Sequence, residues 1–292
     1  MLRYSVSALS LLVLTLGVKA QEISLNSSFW LNRSYYNPSN TALSLDGRSS
    51  ELMLSARNQW VGLGSSPKAY GFRCDYSLSS KNAVGIQVWN QEFGTFTNSV
   101  LQVPYSFEAK FSERIKMVLG VSSSFYSISP DFSRLTNASS IDIGVKDYSY
   151  NHFDATFGAS IYYANSWRIG FFTTNFLAGL NTENSLGILG NLGMKTGIDF
   201  SFQKSLNVVK VELDGLLFQN VNTGLSIGEF WGRAGAKGFS LGIGVGTNES
   251  LHGSLGLRLN SKLRLDYIYT YTNSALRNFT NGSHQLGLSY VF

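Results

Sequence analysis

The chain has 292 residues, with 14% charged, 14% aromatic (20 Phe and 15 Tyr) and 29 glycines. Soluble domains carry about 25% charged residues, so this is not an ordinary water-facing surface, and a net charge of +5 is too mild to argue for nucleic acid. After the first twenty residues no run of eighteen consecutive apolar residues occurs, which excludes a membrane helix and leaves the apolar content dispersed.

Residues 1–20 read as a secretory signal peptide. Arg3 supplies the positive start, Leu9 to Val18 the apolar run, and Val18-Lys19-Ala20 the small residues before a cut ahead of Gln21. No Cys follows that cut, so no lipoprotein anchor is expected. Removing Arg3 and Lys19 lowers the net charge from +5 to +3 over the remaining 272 residues (292 less 20). The lone Cys74 cannot form an internal disulfide and reads as a small hydrophobe.

Residues 21–49 lack a strand period and contain the turn-rich run from Tyr35 to Ala42. They are predicted to lie in or under whatever the rest builds. From residue 50 to the end, apolar residues fall at every second position for about ten residues, then a polar break follows. Period two means strands. Segments are predicted at about 50–60, 68–78, 83–91, 99–111, 115–126, 152–163 and 167–173, then at 191–202, 207–217, 225–234, 239–246, 251–260, 263–271 and 283–292. That gives about fourteen strands, or twelve if the weak unit at 225–234 is not one.

The first segment puts Leu52, Leu54 and Ala56 on one face and Met53, Ser55, Arg57 and Gln59 on the other. The second sets Tyr70, Phe72, Cys74 and Tyr76 against Arg73 and Asp75. In hydrocarbon every backbone polar group needs an internal partner, so a spanning sheet must close. The predicted fold is therefore all-β, a transmembrane antiparallel β-barrel over residues 50–292 in the cell outer membrane.

Loop lengths fix its orientation. Every second connection is short: Ser79–Asn82, Ser112–Arg114, Ala164–Ser166, Gln203–Ser205, Gly235–Lys237 and Ser261–Lys262. The other set includes long loops at about 127–151, 174–190 and 272–282. Short turns belong to the periplasmic side, so both termini are predicted there. Five of the six short turns carry or touch a cation, namely Lys81, Arg114, Lys204, Lys237 and Lys262. These either solubilise the turns or form a basic rim that meets an acidic periplasmic partner. Trp60, Trp89, Trp167 and Trp231 lie near predicted strand ends and read as interface anchors. Phe292, a terminal aromatic on the final strand, resembles the assembly signal of outer-membrane barrels.

Chemistry is weakly signalled. Gly224-Leu225-Ser226-Ile227-Gly228 matches a nucleophile elbow, but no helix is predicted after it. Gly242, Gly244 and Gly246 alternate on the inward face of a strand, where they relieve crowding or bend the wall rather than cradle phosphate. His152, His252 and His284 show no metal-ligand spacing, and Ser283 and His284 point to opposite faces. No catalytic set, cofactor or metal is expected.

Several stretches resemble the PorP/SprF family of outer-membrane barrels of the type IX secretion and gliding machinery. They are Tyr36-Asn37-Pro38-Ser39-Asn40-Thr41-Ala42, then Arg57-Asn58-Gln59-Trp60-Val61-Gly62 with Pro67-Lys68 close behind, and Gly85-Ile86-Gln87-Val88 with Gly94 and Thr97. The closing stretch Leu263-Arg264-Leu265-Asp266-Tyr267-Ile268-Tyr269 through Leu276-Arg277 to Ser283-His284-Gln285-Leu286 is similar as well; Gln285 stands where the family often has an acid. The resemblance covers nearly the whole mature chain, with no such string between about 127 and 235. It implies a non-enzymatic component that supports export, or holds a secreted adhesin at the surface through that adhesin's C-terminal domain, together with periplasmic and lipoprotein components. A passive porin or hydrophobic-solute channel is the alternative that the fold alone allows.

Overall fold

The computed structural model describes residues 28–64, 66–130, 149–180, 193–221, 223–247, 250–273 and 275–292. The predicted signal peptide and most of the two longest predicted loops lie outside these residues. A small hairpin pairs β1 (Leu43–Ser44) with β2 (Gly47–Arg48). The wall then runs β3 (Glu51–Asn58), β4 (Lys68–Ser77), β5 (Asn82–Phe93), β6 (Phe96–Lys110), β7 (Ile115–Pro130), β8 (Tyr150–Tyr163) and β9 (Trp167–Thr174). It continues as β10 (Lys195–Leu206), β11 (Val209–Asn220), β12 (Ser226–Ala236), β13 (Phe239–Gly246), β14 (Ser250–Arg258), β15 (Leu263–Thr272) and β16 (Ser283–Val291).

Each wall strand pairs antiparallel with its chain neighbours, and β16 closes on β3 with Leu286 opposite Ala56 and Leu288 opposite Leu54. The result is a closed barrel of fourteen strands. The weak unit at 225–234 is β12, paired along most of its length to β11 and β13, which rules out twelve. Closure leaves no sheet edge, as hydrocarbon demands.

Alternation decides which face meets lipid. Ile243 is 76% exposed, Phe171 59% and Phe153 58%, whereas inward neighbours such as Asp154, Gln87 and Ser106 are 0% exposed. An apolar belt of this extent around a whole barrel is tolerated against lipid, not water. Glu51 and Val291 are paired at the end that carries the short turns, so the barrel starts and finishes on the periplasmic side.

Three predicted details differ. The connection after β10 is Asn207–Val208 rather than Gln203–Ser205, because the polar run Gln203-Lys204-Ser205 continues the strand beyond the hydrocarbon, paired to Glu212, Val211 and Lys210. Asn207 takes the turn at φ 52°, a left-handed conformation that Asn tolerates. The connection after β12 is Lys237-Gly238, with φ 47° and 90°, the doubly positive geometry of a two-residue type I′ hairpin. Trp89 and Trp231 are not interface anchors. Both point into the barrel and are 2% exposed, because each occupies an inward parity position. Trp167 does face outward at 49% exposure, its ring against Phe202.

Candidate functional site: a segment held inside the barrel

The lumen is filled by the chain itself. Residues 28–49 pass through it as a 3-10 turn (Phe29–Leu31), a short helix α1 (Arg33–Tyr36), a second 3-10 turn (Pro38–Asn40) and the β1–β2 hairpin. Ser28 sits against Gln285 in the outer half, and the hairpin lies at the periplasmic rim, where Arg48 donates to the backbone oxygens of Ser80 and Lys81. Asn32, Asn37, Ser39 and Thr41 are all 0% exposed.

The run Asn37-Pro38-Ser39-Asn40 is the hub. Proline suits the first position of a helical turn, where its missing N–H costs nothing. Asn37 caps that turn: its Oδ1 accepts from the Ser39 backbone N–H at 3.1 Å and from the Ser39 hydroxyl at 2.7 Å. Its Nδ2 donates to Asp199 Oδ1 at 2.8 Å and to the Ser160 hydroxyl at 3.3 Å. Asn40 Oδ1 accepts from Arg168 Nη1 at 2.8 Å, and Arg168 is itself paired with Asp199. Thus β8, β9 and β10 each place a polar side chain on one turn. Two wall glycines make room for it. A Cβ on Gly120 would overlap the Pro38–Ser39 backbone, and one on its cross-strand partner Gly158 would overlap the Asn37 side chain.

Above this hub the contacts are apolar. Phe29, Trp30, Leu31 and Tyr36 pack with Met53, Phe172, Leu216, Phe218, Trp231 and Ile268 from the wall, and Tyr35 packs against Trp89. Trp30 meets Trp231 edge-on at 5.9 Å, and the Arg233 guanidinium lies 4.0 Å from the Trp30 ring. Within the lumen, ion pairs link segment and wall. Arg33 donates to Asp214 at 2.5 Å, and Asp214 also takes Arg233 at 2.7 Å. Arg73 pairs with Asp75 and Glu51, each at 2.5 Å, and Asp75 accepts from Ser34 at 3.2 Å. Removing one partner of such a buried pair strands the other charge, at a cost of about 3–5 kcal/mol.

At the rim, Asp46 on the hairpin tip takes Lys210 Nζ at 2.6 Å and Gln203 Nε2 at 2.9 Å. Partial burial opposes ionisation of Asp46, but the hydrogen bond and charge of Lys210 outweigh it and hold the carboxyl below its ordinary pKa.

The sequence candidates therefore divide. Asn37 and Pro38 form the hub, while Arg73 and Asp75 face the segment from β4. Arg57 and Gln59 point inward and are buried in the outer half, where Arg57 lies in the field of Glu229. Asn58 and Trp60 are half-buried at the outer end of the seam instead. There the Trp60 N–H donates to the Ser283 hydroxyl at 3.1 Å, and Val61 exchanges backbone hydrogen bonds with Asn281 and Gly282. Strings from opposite ends of the sequence thus clasp each other over the β16–β3 closure. Lys81, Arg114, Lys237 and Lys262 are exposed in short turns; Lys204 is exposed on the last part of β10, at the same end. Phe292 extends the closure by donating its N–H to Ser50 O at 3.1 Å, and its ring stacks with Tyr76 and Tyr290.

Sequence reasoning missed one constellation. Ser250 Oγ lies 2.9 Å from His252 Nε2, and His252 Nδ1 lies 3.0 Å from Thr270 Oγ1. The i, i+2 spacing puts both on the inward face, which parity alone could have shown. The group that orients the imidazole is a hydroxyl, not the carboxylate that stabilises an imidazolium in acyl-transfer triads, and the ring is stacked on Trp231 at 5.3 Å. Among the described residues no cluster of His, Cys, Asp and Glu could hold a metal.

A family model described as "Type IX secretion system membrane protein PorP/SprF" matches residues 18–290. No curated protein matches the sequence. Among solved structures, the CymD monoaromatic hydrocarbon channel aligns with a TM-score of 0.50 at 12% identity, over 94% of this chain and 95% of that one. A deletion mutant of the TodX monoaromatic hydrocarbon channel gives 0.49 at 10% identity over 87% and 91%. A FadL homologue from Pseudomonas aeruginosa gives 0.47 at 10% identity over 89% and 94%. At such identities only the likeness to CymD carries weight, and it speaks for the fold alone.

Proposed function

Because the chain belongs to the PorP/SprF family of type IX secretion system membrane proteins, we propose that it is a plugged, protein-binding barrel of that machinery, supporting export or surface anchoring of a secreted adhesin. Its location is the outer membrane. One observation carries the reading: residues 28–49 fill the lumen with an apolar layer and a polar hub, each tied to several wall strands. A barrel occupied in this way has its walls engaged by its own chain, so its exposed ends and loops do the recognition. The partners on this reading are the adhesin's C-terminal domain, periplasmic or lipoprotein components of the machinery, and the surrounding lipid. The cations at the periplasmic end favour acidic partners there. The chain is not an enzyme on this reading, since among the described residues His252 is oriented by the Thr270 hydroxyl rather than by a carboxylate, and its ring lies against Trp231.

The test is deletion of the gene. Surface display or secretion of a specific protein should be abolished while small-solute permeability stays unchanged. A strain that secretes normally but loses uptake of a nutrient would overturn the proposal in favour of the channel reading.

A further inference from the structure

The periplasmic end holds a basic cleft whose cations the plug and the wall neutralise only in part. A cavity of about 230 Å³ opens under the β10–β11 and β12–β13 turns, lined by Lys210, Arg233, Lys237, Arg258 and Arg264, with Glu212 as the one carboxylate among the described lining residues. A second cavity of about 200 Å³ shares Glu212, Arg233 and Arg264 with it and is also lined by Trp30 of the plug. Either volume is far above the ~30 Å³ share of one water.

The cations are unequally committed. Arg233 is held by Glu212 and Asp214, and Arg264 by Asp266 at 2.8 Å. Lys237 and Arg258 are exposed and have no ion pair among the described residues. Arg258 is moreover directly opposite Arg264 across β14 and β15. Like charges placed so are unfavourable, and an anion lying between them removes the cost.

The protein itself shows what the mouth accepts. The acidic hairpin tip, Asp46, already reaches Lys210 with a carboxylate that is 65% exposed. We propose that this cleft receives an extended acidic peptide segment of a periplasmic partner, seating its carboxylates on Lys237, Arg258 and Arg264. The proposal deepens the secretion reading by naming the chemistry of the partner and where it docks.

The experiment uses the full mature barrel in detergent, titrated with a fluorescein-labelled decapeptide of alternating Asp and Ser and with its Asn and Ser counterpart. Anisotropy should report saturable binding of the acidic peptide alone. Lys237→Glu with Arg258→Glu should raise Kd by about tenfold or more, and Arg114→Glu on the far side of the rim by under about threefold. Retained heat-modifiability shows that each variant is folded, and a Lys237→Gln, Arg258→Gln pair gives a milder change for use if the reversal fails to fold. No binding of the acidic peptide, an equal loss with Arg114→Glu, or full displacement by equimolar inorganic phosphate would each overturn the proposal. A failed titration beside a deletion strain that still loses secretion removes only this site. A successful titration beside normal secretion removes the secretion reading instead.

Discussion

Asn37→Ala is the perturbation that the plug depends on most. It removes the charge-assisted bond to Asp199 at 2.8 Å and the two bonds that cap the Pro38–Asn40 turn, at 3.1 and 2.7 Å. A hydrogen bond to a charged group contributes about 1.5–3 kcal/mol and a helical cap about 1 kcal/mol. Asp199 keeps Arg168, so the loss is one of docking rather than of a stranded charge, and about 3 kcal/mol is expected. At about 1.4 kcal/mol per decade, the population of undocked segment rises roughly a hundredfold. The barrel wall should be untouched, since its ladder involves none of these atoms. Hydrogen exchange at the amides of residues 39–42 should therefore quicken by about two decades while amides in β6 and β7 hold their protection. Uniform loss of protection across the wall, or no change at residues 39–42, would mean that Asn37 does not dock the segment independently of the wall.

Gly158→Val should displace the same turn by steric overlap with Asn37, read as new protease sensitivity within residues 28–49 of a folded barrel. Deleting Phe292 should lower membrane levels far more than Phe157→Leu, because Phe292 alone of the two bonds across the closure to Ser50; equal levels would deny the terminus a special role. Charge reversal at Lys81, Lys204 and Lys262 together should weaken co-purification with a periplasmic partner, and more so as salt is lowered, since screening then hides less of the repulsion. Asp46 titrates below its ordinary value, so the Asp46–Lys210 contact is fully present above the unfolded carboxyl pKa of about 3.9 and is lost as pH falls through the depressed value. The NMR titration midpoint of the Asp46 carboxyl should rise in Lys210→Met, and an unchanged midpoint would remove Lys210 as the cause.

The wall was legible in the sequence because lipid imposes its own period on every strand. Even the weak unit at 225–234 kept the beat, with Phe230 at 44% exposure outward and Trp231 at 2% inward. The misplaced turns and tryptophans came from tying strand ends to the edge of the hydrocarbon. Gln203-Lys204-Ser205 looks like a break only if strands must end with the hydrocarbon. Trp89 follows Val88, which is 43% exposed, so its parity placed it inside the barrel whatever its distance from a strand end. The plug is a different matter. Absence of a period in residues 21–49 says what the stretch is not. Its position depends on Asn37 meeting side chains 123 and 162 residues away, and on glycines aligned across β7 and β8. No local pattern encodes those meetings. Likewise Arg258 facing Arg264 is a matter of β14–β15 register, invisible until the turn between them is fixed.

Planar-bilayer recording of the purified full-length barrel tests most directly whether residues 28–49 close the lumen. The wild type should be electrically silent, and Asn37→Ala should open frequently in the same membrane. Steady, ohmic conductance of the wild type at the level of an open fourteen-stranded barrel would contradict closure of the lumen.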